Sequence, residues 1–452
     1  MELSDDKALA LKRELAAFQQ AAAQKPDDIN VWVDLCAAAE KLKDYAEVLR
    51  AGEALERLAP NQPQAHFVRG MGLHRLDRLE EAIESYRCTL ALNENYVDAW
   101  LNLGDCCLAL NRLAEAEKAY RRSIETSGQK VSETQADIDY GGNYWNLALV
   151  ELLKGDLKSG FAHYSAGFKA IAEKKRPDFP QPLWRGEDLR GKTLLVTVEQ
   201  GYGDTLMMAR YLPLLRDKGV RTLFQVQPAL MAYLKDWPGA DQVLQWKKDA
   251  LPSFDYHASE FDLPRYCGTT LATIPAEIPY LPLLPPDERT QLPPTPKPRV
   301  GVVWGGNPKH ANDRRRSVPL EIFEQLFRIE GVEWFSMNRD LRPGDEERVA
   351  KLPVTNLVPQ LKNFADMARF IGQFDLVISC DTASAHLAGG MGKPVWVLLP
   401  FVPDWRWMLE REDSPWYPTA RLFRQKRRYD WNDVVARTGA ALKEWRDKFR
   451  RP

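Results

Sequence analysis

The stretch Ile378-Ser379-Cys380-Asp381-Thr382-Ala383-Ser384-Ala385-His386-Leu387-Ala388-Gly389-Gly390 passes from an apolar run, through a short polar turn, into small residues with helical spacing. A buried strand here delivers Asp381 and Thr382 to a helix N-terminus. Free backbone N–H groups and the positive end of the helix dipole suit an anion such as a phosphate at that place. Thr382 and Ser384 add hydroxyl donors, and His386 lies four residues after Thr382, one turn along the same face. A plainer reading stays open: Asp381 caps the helix and His386 is a packed core residue.

Around this stretch, short apolar runs alternate with helix-like segments, as in a parallel α/β sheet. Arg299–Asn307 (RVGVVWGGN) reads as strand then glycine turn, Val332–Met337 as strand, Phe364–Phe374 as helix, and Leu376–Ser379 as strand. Asp381–Met391 follows as helix and Pro394–Leu399 as the last strand. An upstream unit has the same grammar. Thr193–Glu199 is a strand, Gly201-Tyr202-Gly203-Asp204 the turn leaving it, Thr205–Lys218 an amphipathic helix, and Arg221–Val226 the next strand. Between the units, the proline-dense Ile278–Pro298 excludes helix and forms a connector. Two linked doubly wound lobes predict an enzyme with a nucleotide-type ligand in the cleft between them.

The first third repeats instead. Trp32, His66 and Trp100 stand 34 residues apart, and Gly70/Gly104, Ala82/Ala116 and Tyr86/Tyr120 keep the same step. Tyr144, Leu147, Ala148 and Tyr164 resume the register after ten extra residues around Gly128–Gly142, a stretch that reads as a loop or a lengthened helix end. Such a period implies one helical hairpin per repeat, with small residues where helices cross and large ones in the seams. The expected organisation is a repeat domain over 1–175, a linker over 176–187 (RPDFPQPLWRGE), a first lobe over 188–285, a proline-rich connector over 286–298, and a second lobe with a C-terminal helix over 299–452.

Composition narrows the function classes. With 62 Lys and Arg against 63 Asp and Glu, the net charge of −1 gives no electrostatic footprint for nucleic acid. No apolar run is long enough to span a bilayer. The start, Met1-Glu2-Leu3-Ser4-Asp5-Asp6, lacks the basic-then-apolar order of a signal peptide, so a cytoplasmic location is expected. The six cysteines show no ligand spacing and read as buried reduced thiols.

The 34-residue pattern resembles the tetratricopeptide repeat, with about four copies over residues 28–172. The Asp381-Thr382-x-x-x-His386-Leu387-Ala388-Gly389 stretch resembles the C-terminal lobe of the heptosyltransferase-type glycosyltransferases. Glu199-Gln200-Gly201-Tyr202-Gly203-Asp204 resembles the acceptor-side turn of the same enzymes. The combined architecture is similar to that of protein O-GlcNAc transferases and bacterial flagellin glycosyltransferases. The resemblance implies an all-α tetratricopeptide superhelix followed by an α/β GT-B fold of two Rossmann-like lobes. It implies an inverting, metal-independent glycosyltransferase, with no cofactor beyond the nucleotide-sugar substrate. The repeats would bring a protein acceptor such as flagellin, modified at Ser or Thr, and would offer a surface for a homo-oligomer. A glycan or lipopolysaccharide acceptor and a non-catalytic nucleotide-sugar-binding scaffold remain the alternatives.

In that scheme Asp204 is the candidate base, with Glu199 and His386 as rivals. Asp381, Thr382, Ser384, His386, Gly305, Asn307, Lys309 and Arg316 would bind the donor and its phosphates, with Arg314 nearby. Gln200, Gly201, Gly203, Trp405 and Arg406 would meet the acceptor or the sugar. The segment Pro400–Gln425, rich in Trp and Arg, departs from the heptosyltransferase pattern. Its Trp405, Arg406, Trp407, Trp416 and Tyr417 either stack a base or sugar or pack between the lobes. The amphipathic C-terminal segment 431–452 is expected to cross back to the first lobe, as in many GT-B proteins.

Overall fold

A computed structural model describes residues 5–128, 141–170, 179–199, 201–310 and 312–450. The chain divides into two compact units: Met1–Glu151 with Ala166–Glu173, and Leu152–Ser165 with Lys174–Pro452.

The N-terminal helices bear out the repeat period. After α1 (Asp5–Gln24) come the hairpins α2 (Ile29–Leu42)/α3 (Tyr45–Leu58), α4 (Pro63–Arg75)/α5 (Leu79–Leu92), α6 (Val97–Ala109)/α7 (Leu113–Thr126) and α8 (Gly141–Lys154)/α9 (Leu157–Ala170). From α1 to α7 each helix packs on the next. Helix α1 has no partner in the 34-residue register, so the period could not announce it; its Leu15 and Ala22 join a core with Trp32, Leu35 and Val48. Tyr86 and Tyr120 are fully buried in the following core. A Cβ on Gly104 would stand 2.5 Å from the Tyr120 ring, and one on Gly70 would stand 2.7 Å from Tyr86. The glycine–tyrosine pairs recur because they are the helix-crossing points. Most of the inserted segment, residues 129–140, lies outside the described residues, as do residues 176–178 of the predicted linker.

The α/β unit holds two all-parallel sheets. In the first, β1 (Thr193–Thr197), β2 (Arg221–Val226), β3 (Gln242–Gln245) and β4 (Tyr256–Ser259) lie in the order β3-β2-β1-β4. The helix expected over 205–218 is two helices, α10 (Tyr202–Met208) and α11 (Tyr211–Asp217). Helices α12 (Pro228–Leu234) and α13 (Leu263–Tyr266) complete this lobe.

The second sheet is built from β5 (Arg299–Val303), β6 (Glu333–Ser336), β7 (Thr355–Asn356), β8 (Leu376–Cys380), β9 (Val395–Leu399) and β10 (Ala420–Arg424), in the order β10-β9-β8-β5-β6-β7. Its helices are α14 (Asp313–Arg316), α15 (Leu320–Phe323), α16 (Asp345–Val349), α17 (Phe364–Gln373), α18 (Ala383–Gly390) and α19 (Trp431–Lys448). Numbered from its own first strand, this is the six-strand doubly wound order of dinucleotide-binding folds.

Two expectations are corrected. Val395–Leu399 is not the last strand: β10 pairs with it in parallel from Ala420 to Arg424. Helix α19 does not cross back to the first lobe. Its Trp431, Val434, Val435 and Leu442 join the second lobe's own core with Phe323, Leu326 and Ile329. An amphipathic stripe records that a helix packs, not on what.

No disulfide links the cysteines; Cys36, Cys106, Cys107 and Cys380 are buried, while Cys88 is exposed. Among the described residues no helix is long and apolar enough to cross a membrane.

Gly104→Ala tests the crossing-point argument. The helix-propensity gain of about 1 kcal/mol is outweighed by overpacking against a buried ring, roughly 1–3 kcal/mol. Urea unfolding should therefore show the variant to be less stable than the wild type.

Candidate functional site

In open parallel sheets the usable crevice lies outside the carboxyl ends of the strands, where the winding reverses. In the first sheet that place falls between β1 and β4, in the second between β5 and β8. Glu199 and the turn Gly201–Asp204 leave β1, and Glu260 leaves β4. Gly305 and Gly306 follow β5, and Asp381 and Thr382 leave β8. The turns picked out by the sequence therefore sit at both reversal points.

Those two points meet. Helix α10 packs on α18, and a Cβ on Gly203 would fall 2.7 Å from His386 Cδ2 and 3.4 Å from the Ala383 Cα. Asp204 occupies the third position of α10. Its Oδ2 accepts the Gly201 N–H at 2.8 Å, and its Oδ1 accepts from Arg406 Nη2 at 2.6 Å. Arg406 comes from the second lobe and also donates to Asp404 Oδ1 at 2.7 Å. Arg406 is 8% exposed. Burial works against its charge, but Asp404 and Asp204 outweigh burial and raise its pKa.

A second buried arginine stitches the same seam. Arg210, at the junction of α10 and α11, donates to the Trp416 carbonyl at 2.7 Å and to the Tyr280 hydroxyl at 2.9 Å. Its guanidinium lies 4.7 Å from the Tyr280 and Tyr417 ring centres. Of the two readings open for the aromatic segment, the structure shows packing. Trp405, Trp407, Trp416 and Tyr417 are all buried, and Trp405 makes an edge contact with Phe161.

His386 stacks on Trp407 at 5.3 Å, hydrogen-bonds the Tyr417 hydroxyl through Nδ1 at 2.8 Å, and holds Nε2 3.8 Å from Asp381 Oδ1. Burial, then the positive charges of Arg406, Arg210 and Arg316, lower its pKa well below the usual histidine range. His386 is thus a neutral core residue that also borders the turn. Burial first, then the Asp404 charge, raises the Asp381 pKa, with Arg316 and Arg406 among the groups pulling it back.

The remaining donor-side candidates divide. Arg316 donates to the Asp381 carbonyl at 3.1 Å, joining the β5 loop to the β8 turn. Gly306 leaves the space its guanidinium fills: a Cβ there would meet Arg316 Nη2 at 2.6 Å. The Gly305 N–H is held by Asn338 Oδ1 at 2.7 Å. Asn307 and Lys309 stand exposed on an Asx turn, the Lys309 N–H donating to Asn307 Oδ1 at 2.9 Å, and Arg314 is also exposed. Thr382 caps α18 through its backbone and shares a hydrogen bond with the Ser379 hydroxyl at 3.0 Å. Ser384 does not join this group; it is buried, with its hydroxyl on Met367 Sδ at 3.5 Å. Gln200 lies outside the described residues.

Sequence reading missed Arg210 and Glu260. Glu260 is fully buried, and its Oε1 accepts the Glu199 N–H at 3.1 Å. Burial, reinforced by the Asp204 charge, pushes its pKa up to about 8. No motif marks it: Glu260 stands in the mixed stretch Phe254–Asp262 (FDYHASEFD), where its neighbours Asp255, His257 and Asp262 are ionisable too. Among the described residues no group of three or more His, Cys, Asp or Glu side chains could hold a metal ion.

The tetratricopeptide-repeat family model matches residues 67–130. Over 511 aligned positions the chain is 26% identical to Protein FlbA of Caulobacter vibrioides, covering 92% of this chain and 84% of that protein. It is 32% identical over 115 residues to Protein O-mannosyl-transferase Tmtc3 of Drosophila melanogaster, covering 22% of this chain and 12% of that one. Among solved structures, the crystal structure of MamA aligns with 38% of this chain and 97% of its own, at 16% identity and a TM-score of 0.32. YrrB, a TPR protein with an unusual peptide-binding site, aligns with 36% of this chain and 79% of its own, at 16% identity and a TM-score of 0.30. The match to the tetratricopeptide repeat thus falls within the N-terminal helical hairpins, which are followed by an α/β region of two parallel sheets.

Two measurements probe the seam. Removing one partner from a buried ion pair leaves an uncompensated charge, so Arg406→Ala should cost about 3–5 kcal/mol in denaturant unfolding. Glu260 should make stability pH-dependent. Unfolded glutamate releases its proton near about 4.3, whereas folded Glu260 holds its own to about 8. Its contribution is therefore complete below the unfolded value and lost as pH rises through the folded one. Glu260→Gln should flatten the decline in melting temperature between those two pH values.

Proposed function

We propose that this protein is a glycosyltransferase that moves a sugar from a nucleotide-sugar donor to an acceptor hydroxyl, with its two lobes in a GT-B arrangement. The observation that carries the reading is the convergence of two winding-reversal points, with Asp204 of one lobe held by Arg406 of the other beside the Asp381–Thr382 turn. The similarity to Protein FlbA over most of both chains, and the partial similarity to a Drosophila protein named as an O-mannosyl-transferase, support it.

In the proposed reaction the acceptor oxygen attacks the anomeric carbon from the face opposite the leaving group. Asp204 takes the hydroxyl proton as the carbon–oxygen bond to phosphate breaks, and the nucleotide leaves with the electron pair. The leaving charge is met by the N-terminus of α18, Thr382, Arg316 and Lys309. Arg406 keeps Asp204 oriented. The acceptor is a protein, brought by the repeats, with a Ser or Thr hydroxyl as nucleophile; flagellin is one candidate, and the setting is the cytoplasm.

Thermal shifts with UDP-, ADP-, GDP- and CMP-sugars should select one nucleotide, since at equal concentration a ligand that binds the native state more tightly stabilises it more. With that donor, Asp204→Asn should abolish transfer while leaving donor binding in place. Full turnover by this variant would remove Asp204 from the mechanism. A chain lacking residues 1–140 addresses the acceptor. The cut falls before α8 because Leu152–Ser165 belongs to the α/β unit, where Tyr164 stacks on Phe261 and Ser165 donates to Asp262 at 3.0 Å. The shortened chain should keep donor hydrolysis but lose protein glycosylation. Unchanged glycosylation would favour an acceptor that the repeats do not recruit.

A further inference from the structure

The two ring nitrogens of His386 face groups of different chemistry. Nδ1 lies 2.8 Å from the Tyr417 hydroxyl, and Nε2 lies 3.8 Å from Asp381 Oδ1. The ring has little freedom to turn away from either. Trp407 stacks on it with planes 24° from parallel, and a Cβ on Gly203 would fall 2.7 Å from Cδ2. Tyr417 is itself fixed. It is fully buried, and a Cβ on Gly389 would stand 2.5 Å from its ring. The Arg210 guanidinium lies 4.7 Å from the ring centre and donates to the carbonyl of Trp416, the preceding residue.

We infer that Tyr417 is the positioning residue for His386: its hydroxyl donates to Nδ1, which places the ring's one proton on Nε2, facing the Asp381–Thr382 turn. The inference rests on the reading of that turn as the donor site. The ring carries one proton rather than two because it is buried among Arg406, Arg210 and Arg316. Two placements of that proton differ in what they satisfy. On Nδ1, it would turn the Nε2 lone pair toward an ionised carboxylate, which only accepts, and would deprive the Tyr417 hydroxyl proton of its acceptor. On Nε2, it faces the carboxylate while the hydroxyl donates to Nδ1. Arg210 favours the same direction, since a guanidinium only donates and offers the Tyr417 proton no alternative acceptor. At 3.8 Å the Nε2–H falls short of a hydrogen bond to Asp381. It is therefore available to an oxygen of the leaving phosphate, to which it donates a hydrogen bond while keeping its proton.

The test begins without substrate. Ring carbon–nitrogen NMR spectra of the full chain, labelled at its six histidines, separate the two neutral tautomers from each other and from imidazolium. His386→Gln identifies the His386 signals by their loss. At neutral pH the wild-type ring should be a single Nε2–H tautomer. A proton on Nδ1, or on both nitrogens, would overturn the assignment. Tyr417→Phe keeps the buried ring and removes only the hydroxyl, so a second state of the His386 ring should appear. A spectrum identical to that of the wild type would take the positioning role from Tyr417.

The nucleotide selected by thermal shift supplies the second readout. Added free of its sugar, it should move the His386 Nε2 signal of the wild type. A signal that stays in place while that nucleotide binds would remove the contact with the leaving group. In turnover, Tyr417→Phe should lower kcat severalfold, in proportion to the rings displaced from the Nε2–H state, at a donor KM within about twofold of wild type. A rise in KM alone would reduce Tyr417 to a packing role. Failure of the transferase reading looks different: no nucleotide then stabilises the chain, while the tautomer spectra still decide whether Tyr417 sets the proton on His386.

Discussion

A guanidinium taken out of water must be surrounded by charge and oxygen, or the fold does not tolerate it. Arg406 sets that requirement at the seam of the α/β unit. It is buried, it belongs to the second lobe, and one of its two carboxylate partners, Asp204, belongs to the first. Satisfying it fixes the start of α10, and with it the approach of α10 to α18. Arg210 repeats the logic in the opposite direction, sending a first-lobe charge among Tyr280, Trp416 and Tyr417. The two lobes are therefore held in register by exchanged cations rather than by apolar area alone.

This arrangement explains why the polar groups near the seam are tuned as they are. Burial, then the buried arginines, lowers the proton affinity of His386, and burial, then the Asp204 charge, raises that of Glu260. A histidine with lowered proton affinity and an acid with raised proton affinity thus flank the Asp204–Arg406 ion pair. Groups pushed apart in this way are a common signature of sites that handle protons.

The fold was legible in the sequence where its cause is local. The 34-residue step shows because Gly70 with Tyr86 and Gly104 with Tyr120 meet the same steric demand in successive hairpins. The turns at Asp204 and Asp381 show because a strand-to-helix junction needs small residues and a cap. What did not show depends on tertiary partners. Helix α1 repeats nothing, and β10 (ARLFR) hides in a charged stretch because it finds its place only by pairing with β9. Trp405 and Trp407 read equally well as a ligand platform or as packing until their neighbours are known. Glu260 and Arg210 carry no motif at all, since a single ionisable residue gains its meaning from what buries it. Ser384 looked like part of the phosphate turn by spacing alone, yet helical rotation carries it to the Met367 side.

The two glycines of the first-lobe turn are unequal in what they require. Gly201 has an ordinary extended backbone, with φ −81°, and a Cβ there would stand 3.5 Å from Asp204 Oδ2, a normal contact. Gly203 faces the His386 ring with no room for a methyl group, while Tyr202 between them is 43% exposed. On steric grounds position 201 accepts a side chain and position 203 does not, while Tyr202 sets its ring 5.1 Å from that of Phe364. The steric demand of the turn is thus narrower than the Gly-x-Gly-Asp that the eye picks out, and it is set by a histidine almost two hundred residues downstream.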